Sequence, residues 1–165
     1  MNEKKSSSAG YFILIFIGII AAVCISIVFL TRHDDPKMQI KEFMDFSQNF
    51  DEQEISINVT AGQKIELWNS IDIEYKDDIE FAYDVEIVLN ETELFKGTLD
   101  GKNPGVKIVS SSVKVNGNAH EKYKAGKIYS GLKIGQDGVL KVKAVPRISG
   151  SDVSIIKNIL TVQIK

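Results

Sequence analysis

Residues 79–89 read IEFAYDVEIVL, and this stretch decides the fold class. Ile79, Phe81, Tyr83, Val85, Ile87 and Leu89 recur at every second position, with Glu80, Ala82, Asp84, Glu86 and Val88 between them. Successive side chains of a strand leave on opposite faces, so this period of two marks one face for a core and the other for solvent. A helix would spread the same residues around its circumference and bury none of them together.

The same period extends outward from this stretch. Upstream, Ile71, Ile73 and Tyr75 alternate with Asp72 and Glu74, and Ile55, Ile57 and Val59 alternate with Ser56 and Asn58. Downstream, Val139 to Val145, Ile155, and Ile159 to Ile164 supply the last strands. Turn signals punctuate the pattern at Ala61-Gly62, Lys76-Asp77-Asp78, Asn90-Glu91, Asp100-Gly101, Asn116-Gly117-Asn118, Gln136-Asp137-Gly138 and Ser149-Gly150-Ser151-Asp152. Seven to nine short strands so arranged predict an antiparallel β-sandwich over residues 55–165, Ig-like or jelly-roll-like. The Cys…Trp…Cys pattern of true immunoglobulin domains is absent, and no internal repeat is visible.

A second compositional regime lies at the N-terminus. Tyr11–Leu30 is a 20-residue apolar run without a charge, the length that a helix rising 1.5 Å per residue needs to cross a hydrocarbon core of about 30 Å. A secretory h-region is shorter and ends at a small-x-small site; here Ala21-Ala22 is followed by eight more residues of the run. A lipoprotein signal at Cys24 lacks the small residue before the cysteine, because Val23 stands there. The leader ending in Gly10, followed by YFILIF, resembles a type IV prepilin start, which would imply cleavage after Gly10 and pilin-like assembly. Ile15 occupies the fifth position after that cut, where those families carry Glu, and Pro36 interrupts the helix that a pilin would continue. The run therefore predicts an uncleaved signal-anchor. Lys4 and Lys5 precede it, so the positive-inside rule places residues 1–10 in the cytoplasm and the C-terminal domain outside, in the periplasm if the cell is Gram-negative. Gly18, Ala22 and Ser26 form a small-xxx-small stripe suited to close helix packing.

Residues 31–54 read as a juxtamembrane linker. Ile40, Phe43, Met44 and Phe50 have the spacing of one side of a short helix, with Pro36 in its first turn.

Composition narrows the chemistry. The one cysteine lies within the apolar run, which excludes a disulfide framework and a multi-cysteine metal site. Residues 34–100 carry 18 acidic and 5 basic side chains, whereas residues 101–165 carry 3 and 12. The simplest expectation is that the two halves fold on each other and neutralise, with Lys141 and Lys143 beside the acidic strand face. Only His33 and His120 are available as imidazoles, and His120-Glu121 lacks the second histidine of a zincin motif. His120 reads as part of a solvated hairpin. No Gly-x-Ser-x-Gly or Walker spacing occurs, and Asp77-Asp78 and the loop at Asp100 lack EF-hand spacing. Arginine is confined to Arg32 and Arg147, which disfavours nucleic-acid binding. No catalytic, metal-binding or cofactor-binding residue is expected, and no cofactor. Trp68 reads first as a core residue; a ligand-stacking platform made of Trp68, Tyr123 and Tyr129 is the alternative.

These readings predict a membrane-anchored, non-catalytic interaction domain, an accessory subunit of a cell-envelope complex. Its partners would be the lipid bilayer and another membrane or envelope protein, self-association included. The alternatives are a tethered module for a small ligand or carbohydrate, and a pilin-like subunit.

Overall fold

A computed structural model describes residues 40–165. The expected span at 11–30, its stripe Gly18, Ala22 and Ser26, Cys24 and His33 lie outside the described residues. Within them the chain is an antiparallel all-β sheet of seven strands: β1 (Ile40–Asp45), β2 (Gln53–Val59), β3 (Lys64–Leu89), β4 (Thr92–Asp100), β5 (Val106–Val115), β6 (Asn118–Lys133) and β7 (Gly138–Ile164). None of the described residues forms a helix long and apolar enough to cross a membrane.

The organising unit is the ribbon made by β3 and β7, paired from Ile65↔Ile164 to Leu89↔Leu140. A flat ribbon of 26 residues would run about 90 Å at roughly 3.4 Å per residue, too long to enclose a core. It bends midway, where the register jumps from Lys76↔Ser151 to Glu80↔Ser149 and leaves two extra residues on β3. Asp77, Gly150 and Asp152 take positive φ there, and a bulge with such residues raises local twist. Lys76-Asp77-Asp78 and Ser149–Asp152, expected as turns between strands, are therefore kinks inside continuous strands.

The bend curls one sheet into two facing halves. The first half of β3 lies between β6 and the last part of β7, in the order β1-β7-β3-β6-β5. The second half of β3 pairs with β4 and with the start of β7, whose other side carries β2. Ile79 through Leu89 alternate as expected, with all six apolar residues buried. They share the core with Ile65, Leu67, Ile71, Ile73, Leu140, Val142, Leu160 and Val162. Tyr83 reaches across it: its hydroxyl donates to Asn158 Oδ1 on β7, and its ring meets Phe46 and Phe81 at 6.2 and 5.1 Å.

Two tight turns follow the expected chemistry. Asn90-Glu91 and Asn116-Gly117 each place both residues at positive φ, the geometry of a type I′ hairpin that matches strand twist. Asn90 also closes the neighbouring loop, donating to Asp137 O at 3.0 Å and accepting from Val139 N at 2.9 Å.

The linker reading over 31–54 needs correction at its end. Residues 40–45, where the apolar spacing suggested a short helix, form β1 and pair with Ile159–Ile164, and β2 begins at Gln53 rather than Ile55. Six residues are too few for a period to be decisive. The open edge of β7 decides instead, because pairing there buries Met44 and leads Phe46 into the core while Phe43 faces solvent.

Candidate interaction surfaces

The two oppositely charged halves of the chain do neutralise one another. Acidic β3 lies between basic β6 and β7: Glu66 pairs with Lys127 at 3.0 Å and Lys165 at 2.8 Å, Asp72 with Lys122 at 2.5 Å and His120 at 2.7 Å, and Asp84 with Arg147. Lys143 reaches Glu54 at 3.5 Å. Burial pushes the Glu66 carboxyl up, but donors from Lys165, Trp68 and Lys127 outweigh it and hold its pKa down at about 2. Asp72 is likewise lowered, mainly by the Lys122 and His120 contacts.

The three aromatic candidates do not converge. Trp68 is not in the core. It is half-buried on the outer face, its Nε1 donating to Glu66 Oε2 at 2.9 Å and Lys127 Nζ lying 4.9 Å above its ring. A cation on one face and an anion at the indole nitrogen satisfy this side chain locally. Tyr123 is buried, with its hydroxyl donating to Gly101 O and its pKa raised by burial. Tyr129 is half-buried against Phe95, with ring centroids 4.6 Å apart. Tyr123 pairs opposite Ile71 and Tyr129 opposite Leu67, both core residues, so these tyrosines lie on the side of the sheet away from Trp68.

His120 belongs to strand β6 rather than to a loop, and it is engaged with Asp72. The Asp100 carboxylate is occupied by its own loop, accepting from Lys102 N at 2.8 Å and Asn103 N at 2.9 Å. Among the described residues no group of three or more His, Cys, Asp or Glu side chains is placed to hold a metal ion.

Two surface features remain. One is a groove of about 780 Å³ at the ribbon's bend, lined by Phe50, Ala82, Pro146, Ile148, Val153 and Ile155, with Glu80 and Arg147 among its polar residues. It borders the part of β7 between Ala144, where pairing with β2 stops, and Ile159, where pairing with β1 starts.

The other is β5. All ten residues of VKIVSSSVKV are exposed, and among the described residues the strand pairs only with β6. Of the nine large apolar side chains exposed among the described residues, five are on β5: Val106, Ile108, Val109, Val113 and Val115. Val109 sits at φ 49°, an uncommon conformation for a β-branched residue. An exposed apolar edge with unpaired backbone groups is a template for another strand, and proteins usually blunt such edges. This strand has no counterpart among the sequence expectations, because its three central serines interrupt the alternation of Val106 and Ile108 with that of Val113 and Val115.

No family model matches the chain, and no curated protein does. Among solved structures, it is similar to the VP2 subviral particle of infectious bursal disease virus, with a TM-score of 0.34 and 9% identity over 77% of this chain and 33% of that one. The chain thus spans about a third of that protein's length. The architecture described above rests on the strand pairings themselves.

Proposed function

We propose that this chain is a single-pass membrane protein whose C-terminal domain, an Ig-like or jelly-roll-like sandwich outside the cytoplasm, acts as a non-catalytic interaction module within a cell-envelope complex. The observation that carries this reading is β5, ten exposed residues at a sheet edge unpaired among the described residues, with five large apolar side chains. Strand addition uses such an edge: main-chain hydrogen bonds supply affinity, and alternate side chains supply specificity. The anchor rests on the uncharged run Tyr11–Leu30 and the lysines before it.

A photo-crosslinking amino acid at Val113 in the full chain, expressed in its own cells, tests the reading. Adducts should form at Val113 and not at Glu91, on the β3–β4 hairpin tip. Recovery of uncrosslinked chain alone from the Val113 variant would defeat it.

The groove at the bend favours a second reading, a tethered module for a small ligand, since apolar walls with a few polar groups are common in ligand sites. Blocking it with Ala82→Trp would abolish binding there and leave Val113 crosslinks unchanged. The pilin-like reading is separated by the mature N-terminus, which begins at or next to Met1 for a signal-anchor and at Tyr11 for a cleaved prepilin.

A further inference from the structure

The edge at β5 has a complementary edge in the same sheet. In the order β1-β7-β3-β6-β5 the two outermost strands are β1 and β5, and among the described residues each is paired on one side only. We infer that the strand added to β5 is β1 of a second copy, so that five-stranded layers join edge to edge into an open array. This inference rests on the interaction-module reading above and names its partner.

The direction of the strands permits this. Each neighbouring pair from β1 to β5 is antiparallel, so after four such steps β5 runs the same way as β1. A copy displaced across the width of the sheet therefore presents its β1 alongside β5, in the same direction and with the same faces up. The contact is a parallel pairing, slightly weaker per residue than an antiparallel one, and side chains must supply the difference.

The faces match. Phe43, 61% exposed, lies opposite Thr161, and Thr161 lies opposite Trp68 on the outer face. Val106 lies opposite Lys127, which is also opposite Trp68; Val113 lies opposite His120, which is opposite the exposed Glu74. Joining the edges brings Phe43 against Val106, with which it is level across Trp68, at one end of this apolar stripe, and removes both from water.

The charges match as well. β1 carries Lys41, Glu42 and Asp45, a net of −1, and β5 carries Lys107 and Lys114 with no acid of its own, Lys107 pairing with Glu121 on β6 at 3.0 Å and Lys114 with Asp78 at 3.4 Å. Glu42 lies opposite buried Val162 and Lys107 opposite buried Gly126, so the two share the inner side of the layer, and at nearby levels of it: Glu42 is in line with Leu67 on β3 and Lys107 with Asn69. A symmetric β5–β5 pairing would instead offer neither strand an acid from its partner. The second layer offers poorer edges: on β4, Leu94, Phe95 and Leu99 turn toward the core, and β2 exposes no large apolar side chain. Because β1 and β5 are different surfaces, the contact is head-to-tail and propagates when its rotation does not close a ring.

Cysteine crosslinking of the full chain in membranes, in a Cys24→Ser background, tests this. Chains carrying Phe43→Cys under one tag are co-expressed with chains carrying Val106→Cys, Ile108→Cys, Val113→Cys or Val115→Cys under another. At least one combination should give a disulfide-linked heterodimer under mild oxidation, and the corresponding double variant a ladder of higher species. Glu42→Lys, which sets a second cation near the level of Lys107 on the same side of the layer, should cut the ladder at least tenfold. Unchanged circular dichroism will show that these surface variants fold. Absence of every heterodimer, or β5 cysteines that pair with each other and not with Phe43→Cys, overturns the inference. If Val113 photo-crosslinks to a different protein while no β1–β5 disulfide forms, this inference falls and the interaction module stands; no adduct of any kind defeats both.

Discussion

Replacing Tyr83 with Phe removes one oxygen atom from the centre of the domain, and its consequence follows from the surroundings. The hydroxyl donates to Asn158 Oδ1, joining the second half of β3 to the last part of β7 across the core. Both residues are buried to within 1%. Phe keeps the ring, and with it the contacts to Phe46 and Phe81, so the change is confined to the hydrogen bond. Among the described residues Asn158 Nδ2 already has no hydrogen-bond partner; losing the tyrosine leaves the buried amide oxygen unpaired too. An orphaned buried polar group costs about 1–3 kcal/mol, which for a domain of this size lowers the melting temperature by about 4 °C per kcal/mol. Asn158→Ala removes the other partner while keeping the backbone bonds to Phe46 and Ser47. Urea unfolding of residues 39–165, followed by Trp68 fluorescence, measures the two single variants and the double. The double variant should be less destabilised than the sum by about 0.5–3 kcal/mol, the range seen for residues in contact. Additivity within about 0.3 kcal/mol would mean that the two residues do not touch and that the halves of the sheet do not face each other as described.

Two further perturbations probe the same interior and its outer face. A Cβ on Gly101 would lie 2.9 Å from the Tyr83 ring and 3.0 Å from that of Phe81, so Gly101→Ala should destabilise by about 1–3 kcal/mol through overpacking; denaturation of the purified domain checks it, and an unchanged midpoint would refute it. Glu66 titrates at about 2 in the folded chain against an ordinary 4.5. A lowered folded-state pKa contributes stability above the unfolded value and loses it as pH falls toward the folded one. Wild type should therefore exceed Glu66→Gln in stability at pH 6, by on the order of 2 kcal/mol, and the gap should shrink between about pH 4.5 and 2. A gap that does not change with pH would show that the ion pairs to Lys127 and Lys165 do not hold the carboxylate.

The sequence announces much of this sheet because alternation is strong wherever one face is buried. Ile79–Leu89, Ile71–Tyr75 and Val139–Val145 all point as their period requires. Asn90-Glu91 and Asn116-Gly117 form turns because the local residues tolerate positive φ. Lys76–Asp78 and Ser149–Asp152 carry the same kind of local signal, yet β3 and β7 run through them, since their long-range pairing outweighs a local turn preference. Residues 40–45 mislead for the same reason: a six-residue segment takes the structure of the edge it joins. Trp68 was expected in the core on its size, but its position in the alternation, between Leu67 and Asn69, places it outside with Glu66 and Lys127. The candidate interface was the least legible part. VKIVSSSVKV has no buried face, and without one nothing enforces a period that the sequence could display.

β5, paired on one side only among the described residues, is proposed to take up another strand. Hydrogen exchange of the full chain over Val106–Val115 tests it most directly, measured in native membranes and again after extraction and dilution in detergent. The amides of β5 that do not bond to β6 should exchange rapidly in the diluted chain and become protected in the membrane. Equal, rapid exchange under both conditions would show that nothing pairs with this edge and would overturn its role as an interaction surface.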